Sequence, residues 1–107
     1  MALSIIDSNA MDAPSYVYIL ASETYGTLYV GVTTNLVKRL CEHRDGVVPG
    51  FTKQHEVKRL VWYEVHSDLV QGITREKRIK RWNRDWKVNL FQRTNPQWRD
   101  LFDEIVK

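Results

Sequence analysis

The sequence predicts an α+β fold: a small three-stranded antiparallel sheet flanked by helices, in the order β-β-α-β-α-α with an extra C-terminal helix. Three observations carry this. Two short runs of aromatic and β-branched residues stand close enough to pair as a hairpin. A third such run follows a segment with helical spacing. The remainder carries apolar residues at helical intervals, with capping residues at the starts.

Residues 1–14 show no clear period and end in Asp12-Ala13-Pro14; they read as a flexible N-terminal extension, with Met11 an alternative start of the compact part. Tyr16 to Leu20 is the first strand and Thr27 to Val32 the second, joined by the small polar and Gly residues of Ser22 to Gly26. Thr34 or Asn35 caps a helix that runs to about Arg44, with Leu36, Val37, Leu40 and Cys41 on one side and Gly46 to end it. Residues 46–57 read as a loop, and Arg59 to Val65 as the third strand. Ser67 or Asp68 caps a longer helix through about Trp82, and Asn83-Arg84-Asp85 interrupts it before a piece from Trp86 to Gln92. Asn95-Pro96 has the form of an N-cap followed by a first-turn proline, predicting a last helix from Gln97 to about Val106. The organisation expected is an extension (1–14), one domain (15–94) and a C-terminal helix (95–107) packed on it.

At 107 residues the chain has the length of one domain with one modest core. Its 43% hydrophobic and 27% charged residues are those of an ordinary globular protein, which excludes disorder for the bulk. The one cysteine, Cys41, excludes an internal disulfide and a cysteine zinc cluster, and its place on an apolar helix side reads as an inert thiol. No run approaches the ~20 apolar residues of a membrane span, and no signal peptide is visible, so a cytoplasmic location is expected. Net charge is +3, but it is unevenly spread: Asn35 to Arg93 holds 14 Lys and Arg against 7 Asp and Glu, and the flanks hold 2 against 6. A basic body of this kind attracts polyanions, although a merely solvated surface would look the same.

Three features do not fit packing alone. On the long helix, Leu69, Gly72, Ile73, Ile79, Trp82 and Trp86 fall on one stripe at about 100° per residue, and Glu76 falls inside it. A carboxylate on a core-facing side needs a partner, because burying the charge is costly. That partner is an arginine in a structural salt bridge, which spacing alone favours, or a divalent cation, for which carboxylate oxygen is a hard ligand. On the first helix, Arg39 and His43 stand one turn apart at the edge of the apolar stripe. They are suited to bidentate phosphate contact and proton transfer respectively, or form an idle surface pair. In the strands, Tyr16 and Tyr18 share a face, and Tyr29 alternates against Leu28 and Val30.

Taken in order, Tyr16-Val17-Tyr18, then about ten residues, Tyr29-Val30-Gly31, Asn35-Leu36 with Arg39-Leu40 and His43, and finally Glu76 on a later helix, resemble the GIY-YIG nuclease family. The resemblance covers roughly Tyr16 to Leu90. It is nearest to small stand-alone bacterial proteins, and more distant from the 3′-incising domain of the excision-repair nuclease, homing endonucleases and some restriction enzymes. It implies the same three-stranded sheet and a metal-dependent DNA endonuclease. Tyr18 and Tyr29 take the places of the motif tyrosines, Arg39 that of the motif arginine, and His43 a position that carries His or Tyr. Glu76 takes that of the glutamate that binds Mg²⁺ or Mn²⁺. A later family asparagine corresponds to Asn83 or Asn89. Two departures stand out: Tyr16 replaces the first glycine, and Val32 stands where repair enzymes carry a lysine, with Thr33, Thr34 or Lys38 as substitutes.

The reaction implied is hydrolysis of a phosphodiester through one metal ion, with Arg39 on the phosphate and Tyr29 or Tyr18, aided by His43, accepting the proton of water. An unperturbed phenol near pKa ~10 is a poor base at neutral pH, so Arg39 and the metal are expected to favour phenolate. DNA is the expected partner, tracked along its backbone by Lys38, Arg39, Arg75, Lys77, Lys80, Arg81, Arg84 and Lys87. Trp82, Trp86 and Trp98 are candidates for base stacking but fall on apolar stripes, which favours core packing. With no separate recognition domain, low sequence specificity is expected unless a partner protein or a homodimer supplies it. The rival readings are a DNA- or RNA-binding module with a weak or lost active site, and a structural protein with Glu76 in an ordinary salt bridge.

Overall fold

The computed structural model describes residues 12–46 and 56–106. Most of the expected N-terminal extension, and most of the loop expected at 46–57, lie outside the described residues. The elements are β1 (Ser15–Ala21), β2 (Leu28–Thr33), α1 (Leu36–Arg44), β3 (Arg59–His66), α2 (Leu69–Arg81), α3 (Arg84–Gln92) and α4 (Phe102–Ile105). The three strands form one antiparallel sheet in the order β2-β1-β3. This is the α+β architecture expected from the sequence, and the C-terminal helix is present.

Because β1 is central, it is covered on both faces, and Val17 to Ala21 are all buried. Alternation divides the sheet cleanly. Val17, Ile19 and Ala21 join Val30, Val61, Ile79 and Phe91 in one core, against α2 and α3. Tyr18 and Leu20 join Leu36, Leu40, Val57 and Leu60 in a second core, against α1 and α4. The β1–β3 register slips between Ile19 and Leu20, where a bulge turns Val61 into the first core and leaves Leu60 in the second.

Local chemistry sets the helix ends. Asn35 caps α1 by accepting from Lys38 N at 3.1 Å, and Gly46, at φ 73°, follows the last turn. Asp68 caps α2 through Gln71 N at 2.8 Å. Gly72 lets α2 sit close to the sheet: a Cβ there would run into the Ser15 side chain and lie 3.1 Å from a Val32 methyl. Trp82 leaves the helix at ψ 152°, and Asn83 caps α3 by accepting from Trp86 N at 3.0 Å. The helical stripe drawn through Trp86 therefore fails at this break, and Trp86 is 59% exposed.

The end of the chain corrects the sequence reading. The helix expected from Gln97 to Val106 contracts to Phe102–Ile105. Asn95 does not cap a helix that starts at Pro96; its buried amide donates to Val61 O and Arg99 O, and its Oδ1 accepts from Arg99 N. Trp98 takes a positive φ of 57° and buries its indole completely, edge-on to Phe91 at 4.8 Å between centroids. Leu101 N then donates to Leu60 O at 2.8 Å, so the segment seals part of the outer edge of β3.

Candidate active site

Tyr18 pairs with Gly31 across the β1–β2 ladder, and both point to the α1 face. The absent Cβ of Gly31 is the space the Tyr18 ring fills: a Cβ there would lie 2.9 Å from Cε1 and nearer still to Cζ and Oη. So placed, the phenol reaches His43 Nε2 at 3.2 Å in a buried hydrogen bond. His43 projects inward from α1 and is only 2% exposed, deeper than the stripe edge expected for it. Tyr29 closes a triangle of rings, 5.4 Å from His43 and 6.4 Å from Tyr18 between centroids.

Burial sets the protonation of this pair. It holds the Tyr18 phenol above the usual tyrosine range, with Tyr29, Glu76 and Glu42 acting in the same direction and Arg39 against them. Burial also lowers His43, and the neighbouring Arg39 charge lowers it further, against Glu42. Both groups of the Tyr18–His43 hydrogen bond are therefore held in their neutral forms. Arg39 acts on Tyr18 in the expected direction, toward phenolate, and desolvation outweighs it.

Arg39 lies on α1 with Nη1 3.7 Å from Glu42 Oε1. Together with Thr33, Thr34, Asn35, Lys38 and Glu42 it lines a polar cleft of about 270 Å³. Lys38 is thus in the same cleft as Arg39, next to the threonines that follow Val32. Glu76 approaches from α2, which packs on the opposite face of the sheet. It is one turn beyond Gly72, its side chain is 13% exposed, and its Oε2 is 2.9 Å from Lys80 Nζ. Its charge raises the Tyr18 phenol and that of Arg39 lowers it, and the contact it makes within hydrogen-bond distance is the one to Lys80.

The donor set has a definite character. Among the described residues, no three His, Cys, Asp or Glu side chains cluster to hold a metal. Glu76 offers one hard carboxylate, largely shielded from water. That fits Mg²⁺ or Mn²⁺ held loosely, with retained waters and phosphate oxygens completing the shell.

The structure disperses the remaining basic residues. Arg75 Nε donates to Glu64 Oε2 at 2.8 Å, beside His66, and its guanidinium faces Trp82. Arg84 donates to Gly26 O at 2.7 Å and faces Trp98. Both thus make internal contacts across elements. Lys77, Lys80 and Arg81 are exposed on α2, and Lys87 is half-buried on α3. Asn83 is engaged as a helix cap, whereas Asn89 is exposed on α3. Trp98 is core, Trp82 half-buried, and Cys41 half-buried with a free thiol. Sequence reasoning missed Gly31 as a shaper of the site; its place opposite Tyr18 in the hairpin register was the available signal. It also missed Asp100, which accepts from Leu60 N and Phe102 N and pairs with Arg44, the neighbour of His43.

A model of the GIY-YIG catalytic domain matches residues 14–89. The chain belongs to the GIY-YIG family. Its relatives include a UPF0213 protein of Syntrophus aciditrophicus, 38% identical over 84 residues, which are 78% of this chain and 94% of the relative. Another, from Staphylococcus haemolyticus, is 32% identical over 75% of this chain and 96% of the relative. The solution NMR structure of a UPF0213 protein from Bacillus halodurans superposes with a TM-score of 0.51 at 25% identity, covering 81% of this chain and 92% of that one. The GIY-YIG match places the chain in a nuclease superfamily with DNA as the substrate class implied. Among the described residues, no helix is long and apolar enough to cross a membrane.

Proposed function

We propose that this protein is an endonuclease that hydrolyses DNA phosphodiester bonds at a site built from Tyr18, Tyr29, Arg39, His43 and Glu76. The observation that carries the reading is that Tyr18 of β1, Tyr29 of β2 and His43 of α1 pack as one ring cluster beside the cleft that Arg39 lines.

In this reading the oxygen of a water attacks phosphorus and the bond to the 3′ oxygen breaks. Arg39, with Lys38 beside it in the cleft, holds the phosphate and offsets the charge it gains. Tyr29, the half-buried member of the ring cluster, faces the substrate and takes the proton of the attacking water as it gives its own phenolic proton to His43. Tyr18 is too deeply buried for that task, and serves to orient His43. His43 is kept neutral and so remains a proton acceptor beside Tyr29. Glu76 would hold Mg²⁺ or Mn²⁺, which when bound supplies positive charge for the phosphate and for the leaving 3′ oxygen. The departing oxygen takes a proton from solvent. Lys77, Lys80, Arg81 and Lys87 supply backbone contacts, whereas Arg75 and Arg84, held by Glu64 and Gly26, contribute less.

The test is cleavage of labelled duplex, flap, junction and single-stranded DNA and of RNA with Mn²⁺, comparing the native protein with Glu76→Ala. Loss of products by at least about 10³-fold, with DNA affinity within about threefold, is expected of a residue that acts on the transition state rather than on binding. A native protein that binds these nucleic acids but never nicks them with either metal would favour a binding module instead.

A further inference from the structure

Glu76 is the hard oxygen ligand this site offers, yet its carboxylate already has a cation on it. Lys80 lies one helical turn on, with Nζ 2.9 Å from Glu76 Oε2. The two ends of the pair differ in exposure: the Glu76 side chain is 13% exposed and that of Lys80 is 50% exposed. The carboxylate is fixed and shielded, while the ammonium hangs at its mouth on a flexible stem in contact with water. A glutamate N-terminal to a lysine at this spacing is also the favoured orientation on a helix.

We propose that Lys80 is a built-in competitor for the metal position, occupying Glu76 until a DNA phosphate arrives to exchange with it. This rests on Glu76 being the metal-binding residue. The exchange is balanced in charge. Without DNA, a divalent ion at Glu76 must displace the lysine or sit beside it, and like charges a few ångströms apart repel. With DNA, the phosphate gives Lys80 a new anionic partner and gives the ion the oxygens that one carboxylate lacks. The ammonium then moves from carboxylate to phosphate, and the ion takes the vacated lone pairs. Metal loading and DNA loading become mutually reinforcing, as linkage requires. Lys80 is a positioning residue in this scheme.

The experiment measures Mn²⁺ binding by the loss of the free-ion electron paramagnetic resonance signal, on the full chain, with no turnover needed. Native protein, Lys80→Gln, Lys80→Arg and Glu76→Gln are compared, with and without a phosphorothioate-substituted duplex that resists cleavage. Lys80→Gln should bind Mn²⁺ on the order of tenfold more tightly than native protein without DNA, since a neighbouring positive charge is gone. The duplex should tighten Mn²⁺ binding less for Lys80→Gln than for native protein. Lys80→Arg, which keeps the charge, should resemble native protein. Equal or weaker Mn²⁺ binding by Lys80→Gln, at a site that Glu76→Gln abolishes, overturns the competition while leaving Glu76 as ligand. Mn²⁺ binding indifferent to Glu76→Gln in every background overturns both.

Discussion

Replacing Gly31 with alanine adds one carbon, and the structure says which atoms must move. The new Cβ would lie 2.9 Å from Tyr18 Cε1 and closer to Cζ and Oη, whereas carbon atoms rest about 3.5–4.0 Å apart. The ring has to retreat by about 1 Å to restore that spacing. Tyr18 is 1% exposed and hemmed in by Tyr29 and His43, so it has no free direction. Overpacking of this kind costs about 1–3 kcal/mol, and a lost Tyr18–His43 hydrogen bond adds about 1 kcal/mol. The sign is diagnostic, because alanine for a strand glycine without a clash gains about 0.5–1 kcal/mol from the unfolded chain. Urea unfolding should therefore place Gly31→Ala about 1–3 kcal/mol below native protein at unchanged slope, the unfolded-chain gain offsetting part of the cost. Tyr18→Leu removes the outer ring atoms, and the two changes together should cost at least about 1 kcal/mol less than their sum. If Gly31→Ala is as stable as native protein, or the pair is additive, the glycine does not shape the tyrosine slot.

Two further predictions concern the imidazole and the chain end. His43 is lowered by burial and by Arg39, so its folded form takes up a proton less readily than the unfolded chain does. Its neutral state costs nothing above the ordinary histidine value, and stability is lost as pH falls below ~6.5 until the folded group also protonates. Native protein minus His43→Gln, followed by urea midpoints from pH 8 to 5, should isolate that loss, and a flat difference would refute it. Trp98 is fully buried at a left-handed backbone position, so Trp98→Ala should remove about 3–5 kcal/mol; a loss under ~1 kcal/mol would mean the segment is not part of the core.

The strands were legible from their aromatic and β-branched runs, and α1 and α2 from helical spacing together with a cap. Asn35 and Asp68 stand where apolar spacing begins and accept from a backbone N–H of the first turn, whereas Asn83, expected to interrupt a helix, caps α3. The C-terminal segment was misread for the converse reason. Asn95-Pro96 has the local form of a helix start, but Asn95 bonds to Val61, a residue distant in sequence. Tertiary contact overrode local preference, and no local pattern records it. The site was legible as a set of residue types and not as an electrostatic environment. The resemblance to the GIY-YIG pattern groups Tyr18, His43 and Arg39, but the direction of the Tyr18 shift depends on how much water the ring loses. Trp86 illustrates the same limit, since one misplaced break at Asn83 converts a core stripe into an exposed indole.

The arrangement also explains why the site can be small. β2 is an outer strand. Gly31 sits on that strand and leaves the Tyr18 phenol lying across it. Gly72 brings α2 against Ser15 and Val32 from the other side, and places Glu76 one turn further along. Two glycines, one on β2 and one on α2, thus remove bulk where the layers meet. A side chain at either position would thicken the junction. The proposed site therefore depends on missing atoms as much as on the residues that carry charge.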